Sequence, residues 1–461
     1  MTKFPQYKFC MALDKNTLKV NSSIIKIVGI FESSPVKKTI AGFRSIGYAS
    51  DSLDDRTLGF YKNYWYPEFR DLMFLFKGDA AATYLSKNIE QKFEFIKFKD
   101  EKTKEPIIKV QAGIKSVEVF LFPNGLHFFS IEIYAPEQSL SEISELTNCA
   151  RDFNKEVIFD GKTTEWVNWI EKNCLNNIKI SSSPKDAPVN VDEFSGSKFK
   201  LFTVVDIEEC KEIKTPEVIS ELLYDIGTVS PINAANGSHA LTPSNSYFEE
   251  IMTDKIEVFQ NYAMLPLFDS FTTVGYNLLN GNEGQQKGKH NTFSNMYFRI
   301  YLYNLFLKYN LFRYNSNMNA DSVKTRDEFE TYLNTYNISH ISYNFLPNLI
   351  YHGLRSSLQI DDELKQFQDR INRISQAIQE EQQKRSNLLL GIVSVLASIS
   401  SVGPIFNYLE EIRIKLLFNP FAFYFIIGII LIVIAFPILM YLFPEKKKQI
   451  TQKWKQKRSS K

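Results

Sequence analysis

Two long uncharged runs at the end of the chain constrain what it can fold into. From Ser386 to Leu409 there is no charged residue, and from Phe421 to Phe443 there is none again. Glu410, Glu411, Arg413 and Lys415 lie between the runs. Each run matches the roughly 20 apolar residues that cross a bilayer. Backbone polar groups find no water in lipid, so both runs are expected to be helices. The sequence therefore predicts a C-terminal transmembrane hairpin behind a large α/β body.

Charge gives the expected orientation. The tail after Phe443 holds eight basic residues and one acid. Positive residues beside a span stay on the cytoplasmic side, and Lys384-Arg385 precede the first run. Both termini are expected to be cytoplasmic, in a multi-pass protein of the inner (plasma) membrane. Removing the tail's eight bases and one acid from the 54 and 52 of the whole chain leaves 46 against 51. A slightly acidic body argues against direct nucleic-acid binding. Cys10, Cys149, Cys174 and Cys210 form no CxxC pair, so reduced, buried thiols are expected.

Along the chain, Val117 to Phe122, Pro123-Asn124-Gly125 and Leu126 to Tyr134 read as a hairpin, because Asn-Gly is a favoured tight turn. Ser139 and Glu142 then offer a helix start. Ser181 to Ser197, with two prolines, a glycine and five serines, reads as a boundary. Thr215-Pro216 opens a helix that Gly227 stops. Gly281 to His290 reads as a polar loop. Leu364, Phe367, Ile371, Ile374 and Ile378 follow heptad spacing. One helix is expected from about Asp361 through the first uncharged run. The expected organisation is an N-terminal α/β domain over 1–180, a linker over 181–197 and a second α+β region over 198–345. A stalk helix over 346–386 follows, then spans over 387–409 and 421–443 around an outer loop at 410–420, and a basic tail over 444–461.

Catalytic motifs are absent: there is no HExxH, no GxSxG and no Cys/His cluster. Gly284-Gln-Gln-Lys-Gly288-Lys289-His290 fails as a phosphate loop, since Glu283 stands where glycine is needed and His290 where Ser or Thr is needed. No enzyme is expected. Arg151-Asp152, after the helix begun at Ser139, suits either an anionic ligand or a surface ion pair. In the first run Asn387, Gly391, Ser394, Ser398 and Ser401 form one small, polar stripe. Such a stripe serves close helix packing or lines an ion path, with Glu410 and Glu411 at its outer mouth.

This layout resembles the CorA-type family of two-span magnesium transporters, chiefly over Asp361 to Lys461. The resemblance implies a homopentamer, a pore along the first span and transport of Mg²⁺ or another divalent cation. The family's Gly-Met-Asn signature is replaced here by Val402-Gly403-Pro404-Ile405-Phe406-Asn407, so no filter residue carries over. The long body is similar to a branch that accompanies type III CRISPR systems. That likeness implies an antiviral membrane effector switched by a nucleotide second messenger. The competing reading is an enzyme or ligand-binding module that the hairpin merely tethers.

Overall fold

The computed structural model describes residues 13–32, 40, 42–45, 55–98, 106–180, 198–237, 242–317 and 322–416, with 421, 425 and 428. The chain divides into two compact units, Met1–Phe367 and Gln368–Lys461. In chain order the first half holds β1 (Val20–Glu32), β2 (Arg44–Ser45), α1 (Asp55–Tyr64), α2 (Pro67–Met73), β3 (Thr83–Phe98), β4 (Pro106–Leu121), β5 (Leu126–Tyr134), α3 (Leu140–Arg151), β6 (Glu156–Phe159), β7 (Lys162–Glu165) and α4 (Trp166–Asn173). Then come β8 (Lys200–Ile207), α5 (Pro216–Gly227), α6 (Asn245–Met252), β9 (Ile256–Phe259), β10 (Tyr262–Pro266), β11 (Ser270–Tyr276) and α7 (Glu283–Asn291). A π-helical segment, Thr292–Tyr297, leads into α8 (Phe298–Asn317), α9 (Ser322–Tyr336), α10 (Phe345–Ser357) and α11 (Ile360–Leu416).

The strands form one mixed sheet in the order β7-β6-β3-β4-β5-β1-β8-β11-β10-β9, with β2 paired to β3. Only β8 and β11 run parallel among these pairings, as the long connection between them through α5 and α6 permits. Strand β1 bonds to β5 on one side and to β8 on the other. One sheet therefore joins the chain on both sides of 181–197, a stretch that itself lies outside the described residues.

Period-two alternation explains how the sheet is covered. Ile25, Ile27 and Phe31 enter a core with Ile131, Ile133 and Val205, covered by Ile143 of α3, Trp166 of α4 and Leu222 of α5. On the other face Phe202 meets Phe271, Phe298 and Tyr301, so α8 covers that side. The hairpin between β4 and β5 turns at Gly125, whose φ of 82° glycine adopts without steric cost. The Asn124 side chain accepts from the Leu126 amide at 3.2 Å.

His127 of β5 is 3% exposed and lies beside Phe31, with ring centroids 5.2 Å apart. Burial pushes its imidazole down to about 4. Below its ordinary value the unfolded chain binds a proton that the folded chain refuses. Stability is therefore expected to fall by about 3 kcal/mol between pH 6.5 and 4 on account of this group. Urea unfolding across that range checks it: His127→Gln should flatten this part of the slope, and an unchanged slope would exclude the effect. Cys149 and Cys174 are buried free thiols, and Cys210 is half-buried. Cys10 lies outside the described residues.

The structure overturns the transmembrane hairpin. Among the described residues, no helix is long and apolar enough to cross a membrane. Helix α11 runs for 57 residues, about 85 Å at 1.5 Å per residue. Its charge-free stretch is diluted by Asn387, Gly391, Ser394, Ser398, Ser400, Ser401 and Gly403. The second expected span, 421–443, lies outside the described residues except at 421, 425 and 428, and so does the basic tail. The expectations of a membrane-spanning ion transporter, and of a multi-pass inner-membrane location with both termini cytoplasmic, lose their basis. What stands is a large mixed sheet flanked by helices.

The first turns of α11 belong to the first unit. Lys308 Nζ lies 2.6 Å from Glu363 Oε1, and Arg355 pairs with Asp361. Phe367 packs edge-on against Phe329, with centroids 4.4 Å apart.

Candidate ligand-binding site

Two irregularities in the sheet fall at the same end of β5. Between β1 and β8, Val20 pairs with Ile207 and Ser22 with Asp206, which leaves Asn21 as an extra residue. Between β4 and β5, Ile114 pairs with Ile133 and Ser116 with Glu132, which leaves Lys115 extra. Such bulges re-aim side chains and recur beside binding sites. Past the end of β5, Gln138 adopts a left-handed backbone, φ 50°. That conformation costs a non-glycine residue about 1 kcal/mol or more.

The opposite wall comes from the chain after β11. The buried Asp206 carboxylate accepts from the amides of Leu278 and Leu279 at 2.9 and 3.0 Å. Lys289 Nζ donates to the carbonyls of Asn277 and Asn280 at 2.8 and 2.7 Å. Helix α7 then begins with a reciprocal cap between Asn282 and Gln285. This corrects the expected polar loop: the cap satisfies the Asn282 and Gln285 amides, so a helix starts here despite glycines 284 and 288. The helix aligns Glu283, Gln286, Lys287 and His290 on one face.

Between these walls lies a cavity of about 680 Å³, lined among others by Asn21, Ser22, Lys115, Glu132, Gln138, Lys287 and His290. Buried Glu132 is its electrostatic pivot. Its Oε1 lies 2.7 Å from Lys115 Nζ and 3.9 Å from His290 Nε2. Its Oε2 lies 3.9 Å from Lys26 Nζ, which in turn is 2.8 Å from Glu118 Oε2. Tyr84 donates its hydroxyl to Glu118 Oε1 at 2.5 Å. Burial opposes the charge on Glu118, but Lys26, the Tyr84 hydroxyl and Arg299 together hold it below the usual carboxylate range. Burial, with Lys115 and Lys26 nearby, lowers the His290 imidazole against the pull of Glu132, so it is mostly neutral near pH 7. Two buried oxygens at the wall, Ser22 Oγ and Gln138 Oε1, have no hydrogen-bond partner among the described residues. Buried polar atoms are rarely left so.

A second cavity, about 990 Å³, lies between α8 and α9. Three of its polar side chains are committed to the fold. Tyr332 and Tyr336 donate to the carbonyls of Leu307 and Ala80 at 3.2 and 2.9 Å, and Arg313 donates to that of Asn124 at 2.7 Å. The first cavity is therefore the better candidate.

The ligand-binding and pore-lining residues expected from the sequence lie elsewhere. Arg151 ends α3 with Nη2 2.6 Å from Asp269 Oδ2, and Lys200 Nζ takes the other oxygen of Asp269 at 2.5 Å. Asp152 bridges to Lys198 through the backbone, and its Oδ1 accepts from the Asn154 amide. Asn387, Gly391, Ser394, Ser398, Ser401, Glu410 and Glu411 all fall on α11 in the second unit, and none lines either cavity. Among the described residues no three His, Cys, Asp or Glu side chains are grouped to hold a metal ion.

Sequence reasoning missed Asn21, Ser22, Lys115, Glu132 and Gln138. The available signal was charge inside strands: Lys26, Lys115, Glu118 and Glu132 interrupt otherwise apolar segments. No protein-family model, curated protein or solved structure matches the chain.

Proposed function

We propose that the first unit is a binding module for an anionic, nucleotide-type ligand held in the cavity between β1, β4, β5 and α7. The supporting observation is convergence: both bulged residues, the left-handed Gln138 and the aligned face of α7 meet at one polar cavity. Its volume lies in the range of small-molecule sites. Lys115 and Lys287 supply charge for phosphate groups, and phosphate contacts from charged donors are among the stronger hydrogen bonds. The nucleotide second messenger implied by the family resemblance fits this proposal; ion transport forms no part of it.

Thermal unfolding tests it with a panel of nucleoside triphosphates, cyclic dinucleotides and short oligonucleotides. A true ligand at a hundred times its Kd should stabilise the fold by about 2.7 kcal/mol. Lys115→Ala combined with Lys287→Ala should weaken binding by at least about 100-fold, since each charged hydrogen bond contributes about 1.5–3 kcal/mol. A panel without any shift, or a double variant that binds like the wild type, would refute the proposal.

A further inference from the structure

We infer that the cavity takes up a proton on His290 as it takes its anionic ligand, so that binding tightens as the pH falls through the range where histidine titrates. This rests on reading the cavity as a site for a nucleotide-type anion. The titratable groups that line it are Lys115, Glu132, Tyr134, Glu283, Lys287 and His290. Two lysines stand against two carboxylates, so with a neutral imidazole the lining offers an anion no net charge. Lys115 is also engaged already, since its Nζ donates to Glu132 Oε1 at 2.7 Å. Glu132 is 7% exposed, and a buried carboxylate stripped of its counter-charge is strongly disfavoured. Lys115 can therefore turn to a phosphate only if another cation replaces it.

The distances name the replacement. Lys26 Nζ lies 3.9 Å from Glu132 Oε2 but is committed to Glu118 at 2.8 Å. His290 Nε2 lies 3.9 Å from Glu132 Oε1, the same oxygen that Lys115 holds. A protonated imidazole there inherits the carboxylate and frees the Lys115 ammonium for the ligand. In the empty cavity burial opposes that proton most, Glu132 of β5 favours it, and Lys115 of β4 and Lys26 of β1 oppose it. On its own helix Glu283 and Lys287 line the same space. An anion brought beside the ring, and an ammonium drawn away from Glu132, both favour the imidazolium. A group that holds its proton more tightly in the complex makes the complex tighter at lower pH. Affinity is then flat above the bound-state pKa of His290 and climbs by up to about tenfold per pH unit below it, until the free-state pKa is passed.

Nuclear magnetic resonance of the full chain, labelled at its histidine rings, tests this with the triphosphates, cyclic dinucleotides and short oligonucleotides named above. His290→Gln identifies the signal among the five histidines. A bound compound should move the His290 titration midpoint upward by about one pH unit or more, a tenfold gain in proton affinity. The same tenfold is the whole gain in ligand affinity across that titration. Calorimetry with the cyclic dinucleotides, whose phosphodiesters keep one charge over this range, should show that rise on acidification, and His290→Gln should flatten it. Some compound may bind the wild type and bind Lys115→Ala with Lys287→Ala more weakly, yet leave the midpoint in place; that result would overturn the proton uptake and leave the site standing. A compound that the double variant binds like the wild type, or a panel without a binder, would overturn both. The ring titration is read on the wild-type chain, so a misfolded variant cannot obscure the answer.

Discussion

Replacing Lys26 with Met is expected to destabilise the first unit by about 3–5 kcal/mol, the usual loss when one partner of a buried ion pair is removed. Lys26 is 1% exposed at the centre of the sheet. Its ammonium sits 2.8 Å from Glu118 and 4.3 Å above the Phe298 ring. Met retains the length and most of the packing, so the loss is electrostatic: Glu118 is left charged in a dry layer. In the variant the folded-state pKa of Glu118 should rise above its unfolded value. The penalty should then shrink as the pH falls toward 4, where the carboxyl takes up a proton. A second change, Glu118→Gln, should restore much of the loss at neutral pH. Urea midpoints at pH 7 and pH 5 give the comparison. A loss below about 1 kcal/mol at pH 7 would mean that water reaches the pair, as at exposed salt bridges.

Trp166→Ala should cost a similar amount, about 3–5 kcal/mol, by leaving a cavity that its neighbours cannot fill. The side chain is fully buried at the first residue of α4. Its ring stacks on Phe93 with centroids 4.9 Å apart and meets Phe95 edge-on at 5.2 Å. Its indole N–H donates to the Ala150 carbonyl at 2.9 Å. One residue thus ties β3, the end of α3 and the start of α4. Trp166→Phe keeps most of the packing and loses the hydrogen bond, so a smaller cost of about 1–2 kcal/mol is expected. Circular dichroism during denaturation separates the two variants. Equal losses would show that the hydrogen bond, not the ring volume, holds the junction.

Local features of the fold were legible because they depend on local chemistry. Asn124-Gly125 between alternating apolar runs marked the β4–β5 hairpin. Ser139, whose hydroxyl accepts from the Glu142 amide at 3.2 Å, marked the start of α3. Pro216 and Gly227 bounded α5. Long-range features were not legible. That β1 would lie between β5 and β8 depends on strand pairing across more than a hundred residues. The bulges at Asn21 and Lys115 exist only relative to the strands beside them. Glycines 284 and 288 suggested a loop, yet the reciprocal Asn282–Gln285 cap was strong enough to start a helix. The transmembrane expectation failed for a different reason. It weighed the absence of charge and undervalued the amide and hydroxyls of Asn387, Ser394, Ser398 and Ser401. The same lysine-bearing segment dismissed as a phosphate loop, Gly284 to His290, does contribute to the cavity, through Gln286, Lys287 and His290 on one helical face rather than through loop amides.

A crystal structure of the full chain grown with saturating adenosine triphosphate examines the cavity most directly. Phosphate oxygens are expected within about 3 Å of the Lys115 and Lys287 ammonium groups, the normal reach of a charged hydrogen bond. A nucleotide bound elsewhere on the chain, with this cavity filled only by water, would contradict the assignment.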